Sequence, residues 1–173
     1  SICLNQSIVI GGAPTGPAGS AFNWNQAGTL DNDTLANPTA SPLITTMYAV
    51  VVTDTNGCVA LDNVTITILN LPAVDAGPDL SICPGDSVQL NGTAGPGAVW
   101  SPSAGLSDPN VLDPMASPGS TTTYVLERFA ANGCGNTDST TVTVFPAVQA
   151  NAGNNVSLCL GSTAQLNATG GTT

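Results

Sequence analysis

The sequence contains no histidine and no lysine, and Arg128 is its one basic residue against eleven acidic residues. The net charge of −10 makes nucleic acid a poor partner, because neutralising phosphates requires lysine and arginine. An anionic membrane surface is disfavoured for the same reason. Without histidine or lysine, the chain also lacks the commonest general bases and any Schiff-base nucleophile. These absences predict a protein that is not an enzyme.

Long apolar runs and charged side chains are also scarce. No stretch approaches the roughly 20 consecutive apolar residues that span a bilayer, so we expect no membrane insertion. Charged residues make up 7% of the chain and hydrophobic residues 42%. We therefore expect a packed core and a surface hydrated by neutral polar side chains or by attached groups.

What the sequence does contain is an internal repeat. A spacing of 76 residues separates four matching pairs: Trp24 and Trp100, Tyr48 and Tyr124, Cys58 and Cys134, and Cys83 and Cys159. Cys3 and Cys83 are 80 residues apart, because repeat one carries four extra residues in the Gly/Pro-rich run 11–19. We predict repeat one over 1–72, repeat two over 73–147 and the opening of repeat three over 148–173. The chain is then interpreted as an excerpt of a longer array.

Each repeat has the pattern of a series of short strands. Apolar and polar residues alternate around three pairs in repeat two: Val88 and Leu90, Tyr124 and Leu126, and Val142 and Val144. Asn132-Gly133 predicts a hairpin between the last two strands, and no segment shows a helical period. Short strands with a buried Trp and a late Tyr predict an all-β fold of tandem immunoglobulin-like β-sandwich domains.

The cysteines predict structural disulfides. Two cysteines in each complete repeat favour pairing within the repeat, Cys3 with Cys58 and Cys83 with Cys134, although sequence alone does not fix connectivity. Cys159 would then pair beyond the end of the sequence. Each bridge would tie the turn after the first strand to the final hairpin and stabilise the domain by about 4 kcal/mol. A metal site is disfavoured, because the sequence has no CxxC motif and no histidine.

Carboxylate pairs are the remaining candidates for catalysis or calcium binding: Asp31 and Asp33, Asp75 and Asp79, and Asp108 and Asp113. All lie among Gly, Pro and Asn, where Asp is a routine turn residue, and no complete calcium loop is present. We interpret them as turn residues and predict no metal and no cofactor.

Four aromatic residues could in principle stack on sugars: Trp24, Tyr48, Trp100 and Tyr124. Their equivalent repeat positions within apolar strands favour a place in the core instead.

Several strings of repeat two resemble a known family: WSPSAGLSDP (100–109), ASP (116–118), TTTY (121–124), NGC (132–134), DAGPD (75–79) and ICPGD (82–86). They are similar to the PKD-like, immunoglobulin-like repeats of very large Bacteroidota surface proteins, which often carry a gliding-motility-associated sorting domain and leave by type IX secretion. The resemblance covers repeat two and the start of repeat three. Repeat one departs from it, with Asn25-Gln26 after Trp24 in place of Ser-Pro. The resemblance implies an extracellular or cell-surface adhesin, stalk or filament.

The resemblance also implies O-glycosylation of Ser or Thr that follows Asp and precedes a small or aliphatic residue. Thr34, Ser87 and Ser139 fit this pattern, and we predict covalent glycans there. Six Asn-x-Ser/Thr sequons also occur, a number that arises readily by chance in this composition: Asn5, Asn32, Asn63, Asn91, Asn155 and Asn167.

Repetition, disulfides and missing catalytic groups together predict a structural repeat of an extracellular fibre, filament or adhesin stalk. Exposed edge strands would let it associate with copies of itself or with neighbouring repeats. The alternative is a carbohydrate- or surface-binding module of a larger adhesin or secreted enzyme, which requires exposed aromatic residues in a groove.

Overall fold

The computed structural model describes residues 1–12 and 16–172. Over these residues the chain consists of β-strands, turns and one 3-10 turn, Ala27–Thr29, with no α-helix. It forms two compact units: Ser1–Leu71 with Ala130–Cys134, and Pro72–Phe129 with Gly135–Thr173. No helix of this described part is long and apolar enough to cross a membrane.

The described residues of the first unit form seven strands: β1 (Ile2–Cys3), β2 (Ile8–Val9), β3 (Ala21–Trp24), β4 (Thr39–Ala40), β5 (Thr46–Thr53), β6 (Val59–Ile66) and β7 (Ile68–Leu69). Strands β3, β5 and β6 form an antiparallel sheet in that order. Strand β2 pairs with β4 antiparallel, and β1 pairs with β7 parallel.

The core of this unit follows from the alternation seen in the sequence, because every second residue of a strand faces one side of its sheet. Seven buried hydrophobic residues form it: Ile2, Ile10, Trp24, Ala40, Tyr48, Val50 and Ile66. The Trp24 indole donates to the Leu35 carbonyl at 2.9 Å, so its one polar group is paired.

The second unit contains ten strands: β8 (Val74–Asp75), β9 (Leu80–Ile82), β10 (Val88–Gln89), β11 (Thr93–Ala94), β12 (Val99–Ser101), β13 (Met115–Ala116), β14 (Thr122–Phe129), β15 (Gly135–Val144), β16 (Val148–Asn151) and β17 (Thr169–Thr172). Its main sheet has the order β12-β14-β15-β9, with β9 parallel to β15. Three further antiparallel pairs are β8–β11, β10–β13 and β16–β17.

Strands β14 and β15 form the hairpin that Asn132-Gly133 predicted. Gly133 has φ +85°, a conformation that glycine adopts without steric cost. The Asn132 side chain accepts the Cys134 N–H at 3.0 Å, and the Ala130 N–H donates to the Cys134 carbonyl at 2.8 Å.

The core of the second unit has nine buried members: Ala76, Ile82, Leu90, Ala98, Trp100, Ala116, Tyr124, Leu126 and Val142. Seven of them occupy the repeat positions of the seven core residues in the first unit. The predicted all-β fold of tandem immunoglobulin-like β-sandwich domains is therefore confirmed.

Candidate functional site

A disulfide joins Cys3 of repeat one to Cys134, the last residue of the repeat-two hairpin loop. Their Cα atoms are 5.6 Å apart across a sequence separation of 131 residues. Both cysteines belong to the first compact unit, which includes loop 130–134 as well as repeat one. The Asn132 side-chain amide also donates to the Asn70 carbonyl at 3.2 Å. The bridge therefore links successive repeats of the sequence covalently.

This pairing corrects the prediction of a bridge between Cys83 and Cys134. Cys134 lies immediately before Gly135, the first of the ten residues of β15. Cys83 follows Ile82, whose partner is Val144 at the other end of that strand. Ten residues of strand extend over about 33 Å. The Cα atoms of a disulfide lie within about 7 Å of each other, so the two cysteines cannot meet.

The prediction of a Cys3–Cys58 bridge is wrong for the same reason. Cys3 pairs with Leu69 in β7, whereas Cys58 lies immediately before Val59 at the start of β6. Three cysteines consequently remain as exposed free thiols: Cys58, Cys83 and Cys159. The length of the final strand sets the distance between the two cysteines of a repeat. A long final strand in the sequence is therefore the feature that argues against pairing within a repeat.

Repeat one contains a groove of about 650 Å³. Its lining is mostly apolar and includes core side chains as well as the inner face of β6: Ile8, Ile10, Phe22, Trp24, Val52 and Val64. Asp62 adds a carboxylate to the wall, and its described hydrogen bond is with the neighbouring Asn63 N–H at 2.8 Å. The groove can hold an apolar segment beside one hydrogen-bond acceptor.

In repeat two a chain segment, residues 72–79, lies against the matching face of β15. Ala76 within it is 1% exposed and belongs to the core. The Asp138 carboxylate accepts the Ala76 N–H at 2.8 Å. This hydrogen bond, followed by that from the Ser139 N–H, lowers the pKa of Asp138 from its ordinary value. The sequence analysis considered Asp138 only as part of a glycosylation motif. It did not predict that the Asp138 carboxylate would hold residues 72–79 against β15.

Of the six carboxylates predicted as turn residues, Asp31, Asp75, Asp79 and Asp108 accept a backbone N–H, and Asp79 accepts it from the distant Thr141. Asp31 receives the N–H groups of Thr39 and Asn32, each at 2.8 Å, and the Thr39 bond is the main cause of a lowered pKa at Asp31. Asp75 and Asp108 each accept an N–H two residues ahead, in the manner of Asx turns. No group of three His, Cys, Asp or Glu side chains that could hold a metal occurs in residues 1–12 and 16–172.

The four aromatic residues lie in the cores, as predicted. Trp24 and Trp100 are 5% and 1% exposed, and Tyr48 and Tyr124 are fully buried. The Tyr124 hydroxyl donates to the Ala104 carbonyl at 2.9 Å, and burial raises its pKa. The Tyr48 hydroxyl lies 2.7 Å from Thr29 Oγ1. Trp24 also lines the repeat-one groove, but at 5% exposure it does not present a ring face on which a sugar could stack.

The predicted glycosylation positions Thr34, Ser87 and Ser139 are all exposed. The six sequon asparagines are exposed as well. The hydroxyls of Thr34, Ser87 and Ser139 do not form a common site. Each is accessible to solvent, as a glycan acceptor must be.

The fold defines a class, tandem immunoglobulin-like β-sandwich domains, and comparisons with known proteins fall in that class. The insect immune protein hemolin is similar to 83% of this chain, with 14% identity and a TM-score of 0.43. The N-terminal eight Ig domains of Down Syndrome Cell Adhesion Molecule match 87% of the chain, at 14% identity and a TM-score of 0.39. The Ig1-2 module of the Drosophila receptor protein tyrosine phosphatase DLAR matches 83%, at 12% identity and a TM-score of 0.33.

The matched regions cover 44% of hemolin, 24% of the eight-domain chain and 92% of the DLAR module. This chain thus spans less than half the length of the first two. No protein-family model and no curated protein matches the sequence.

Proposed function

We propose that this chain is a non-enzymatic, load-bearing segment of an extracellular fibre or adhesin stalk. The observation that carries the proposal is the bond between Cys3 and Cys134, which joins one repeat to the hairpin of the next. Such a bond suits a segment that transmits tension, because it keeps the two repeats joined when either of them unfolds.

The bond changes the path that a pulling force takes through the chain. Tension applied at the two ends passes from Cys3 directly to Cys134, so the chain between them, a sequence separation of 131, carries no load. Unfolding of most of both repeats then cannot lengthen the molecule. Reduction would add about 450 Å of contour at roughly 3.4 Å per residue.

Single-molecule force spectroscopy on the chain, held at its two ends, tests this. We expect the reduced chain to gain this contour length. The oxidised chain should extend only through the residues outside the Cys3–Cys134 loop. The Cys58→Ser variant is the matched control, because it removes a free thiol and leaves the bond intact. Equal extension with and without reductant would remove the load-bearing argument.

We further propose that the protein is a surface protein of the Bacteroidota type, with glycans at Thr34, Ser87 and Ser139. The family resemblance of repeat two and the exposure of the three hydroxyls support this. A chain with only 7% charged residues also needs another source of surface hydration. Mass spectrometry of the native protein should find glycopeptides at these positions, and unmodified peptides at all three would contradict it.

The alternative function, carbohydrate binding, required exposed aromatic residues in a groove. The Trp and Tyr residues that could have served are buried in the two cores. We therefore favour the structural role.

A further inference from the structure

The cysteines of the chain belong to two structural kinds. Three of them open a tight turn near the start of a repeat, and we call them the turn cysteines. The carbonyl of each accepts the N–H three residues ahead at 3.0 to 3.1 Å, and the residue two places ahead has a positive φ. The turn cysteines, each with its positive-φ residue, are Cys3 with Asn5, Cys83 with Gly85, and Cys159 with Gly161.

The other two cysteines, Cys58 and Cys134, end the hairpin loops of repeats one and two, and we call them the hairpin cysteines. Each follows an Asn-Gly pair, and the glycines have nearly equal φ values, +84° for Gly57 and +85° for Gly133. The carbonyl of each cysteine accepts the N–H four residues earlier, at 3.0 Å in repeat one and 2.8 Å in repeat two. The two repeats therefore present their hairpin cysteines on the same hydrogen-bonded loop.

The observed bond joins one cysteine of each kind because of what lies beside them. Cys3 pairs with Leu69 in β7, close to the point where the chain leaves repeat one. There the Asn70 carbonyl accepts the Asn132 side-chain amide at 3.2 Å, which holds the repeat-two hairpin loop at the same place. The bond thus requires a turn cysteine beside the exit of its own repeat and a following hairpin loop that contacts a main-chain carbonyl of that exit.

Cys83 occupies the corresponding place in repeat two. It follows Ile82, whose carbonyl accepts the Phe145 N–H at 3.0 Å where the chain leaves the last strand. Pro146 stands at the position of Asn70, at a spacing of 76. The hydrogen bond at this position uses a main-chain carbonyl, which proline supplies as well as asparagine does. The exit of repeat two therefore offers the group that a following hairpin loop contacts.

We propose that the cysteines of the repeat array form a ladder, in which the turn cysteine of each repeat bonds to the hairpin cysteine of the next repeat of the same chain. Cys83 then bonds to the hairpin cysteine of repeat three, and Cys58 to the turn cysteine of the repeat that precedes repeat one. In each step two thiols lose two protons and two electrons, which reduce one glutathione disulfide to two thiols. The inference rests on the proposed structural role and on the predicted array, and it names the covalent partner of each repeat.

The bonds of such a ladder overlap along the chain, since Cys83 lies between Cys3 and Cys134. The shortest covalent path from Cys134 to the next bond runs over the 25 residues to Cys159, whose own bond leads to repeat four. A pulled array would extend to about 90 Å for every two repeats, at roughly 3.4 Å per residue. The same two repeats without bonds would span about 520 Å. The ladder therefore limits the stretching of the array about sixfold.

Completion of repeat three tests the ladder. Residues 98–147 of repeat two, added after Thr173, continue repeat three in register and supply its hairpin cysteine. The extended chain is oxidised in a glutathione buffer, its free thiols are alkylated, and its bonds are mapped by mass spectrometry without reduction. We expect a bond between Cys83 and the added cysteine, which leaves two free thiols, Cys58 and Cys159. In the matched control the added cysteine is changed to serine, and three free thiols should remain.

Two outcomes would overturn the proposal. A bond from the added cysteine to Cys159 would mean pairing within a repeat, and four free thiols would mean that the hairpin of repeat three does not reach Cys83. Disulfide mapping of the native protein decides the same point if the extended chain does not fold: the Cys83 peptide must be linked to a hairpin peptide of the next repeat, and a free thiol or any other partner contradicts the ladder. A failure here leaves the load-bearing role untouched, because the force measurement depends only on Cys3–Cys134.

Discussion

Repeats one and two fill the same seven core positions, yet they differ along one strand. In repeat two, residues 72–79 cover the inner face of β15, and Leu126 and Val142 are fully buried. In repeat one the same face of β6 borders a groove, and Val50 and Ile66, at the matching positions, are 8% and 4% exposed. Both repeats bury their Trp and Tyr with these seven positions, and in the described residues only repeat two has a segment lying over its last strand. Covering of the last strand is a separate step, made by a separate segment.

The side chains on the two strands fit this difference. Asn136 and Thr140 of β15 donate to carbonyls of the covering segment, whereas Ala60 and Val64 of β6 cannot. The following substitutions are chosen in matched pairs, one in each setting.

The largest effect should come from the disulfide. Cys3→Ser opens a loop of 131 residues, and the chain-entropy model gives a loss of about 5 kcal/mol in the free energy of unfolding. Cys58→Ser, at the hairpin position of repeat one, should change it by less than about 0.5 kcal/mol, since that thiol is free and exposed. Urea unfolding with and without reductant measures both. Reductant should bring the wild type to the level of Cys3→Ser, and an equal loss from Cys58→Ser would contradict the observed pairing.

The next effect concerns the small residue at the centre of the covering segment. Ala76→Asp places a charge in a core position that is 1% exposed, and we expect a loss of about 3 kcal/mol or more. Ala152→Asp makes the same change at the matching, exposed position and should lie within about 0.5 kcal/mol of the wild type. Thermal unfolding compares them. Similar stability of the two variants would show that the segment does not seal the core of repeat two.

The sequence predicted the two cores well and the connections between repeats poorly. Alternation in β5 and β14 identified Tyr48, Val50, Tyr124 and Leu126, because one buried face per strand fixes which residues point inward. The hairpin at Asn132-Gly133 followed from local backbone preference. Both are properties of a few neighbouring residues.

Disulfide connectivity depends on distance across the whole domain, and composition does not contain that distance. The sequence predicts a bond between the two cysteines of a repeat, but the register of Ile82 with Val144 places Cys83 and Cys134 at opposite ends of β15. The groove was missed for a related reason. Its walls are ordinary core residues, and only the comparison with repeat two shows which segment completes them.

A smaller effect is expected from the hydroxyl that holds the covering segment. Thr140→Val removes the donor to the Pro78 carbonyl, a 2.7 Å bond at a residue 1% exposed, and should cost about 1 to 2 kcal/mol. The reverse change at the matching site, Val64→Thr, adds a hydroxyl beside the open groove and should cost about 0.5 kcal/mol or less. Urea unfolding measures the free energy of unfolding of both variants. Equal costs would mean that the bond to Pro78 contributes nothing specific to repeat two.

The smallest effect, and the one with a distinct pH signature, concerns Asp138 and Asp62. The hydrogen bond from the Ala76 N–H lowers the pKa of Asp138 below its ordinary value of 3.8 in the folded chain. A lowered pKa stabilises the fold above the unfolded-state pKa, and this contribution is lost as pH falls through the folded-state pKa. Asp138→Asn should therefore be less stable than the wild type at pH 7, with the difference unchanged to about pH 5 and shrinking below 3.8.

Asp62→Asn is the matched control at the equivalent position, because the hydrogen bond described for the Asp62 carboxylate comes from its own neighbour, the Asn63 N–H. Its unfolding midpoint should follow that of the wild type at every pH, measured by thermal unfolding from pH 7 to pH 2.5. A deficit in Asp138→Asn that persists undiminished at pH 2.5 would assign the loss to shape and not to charge.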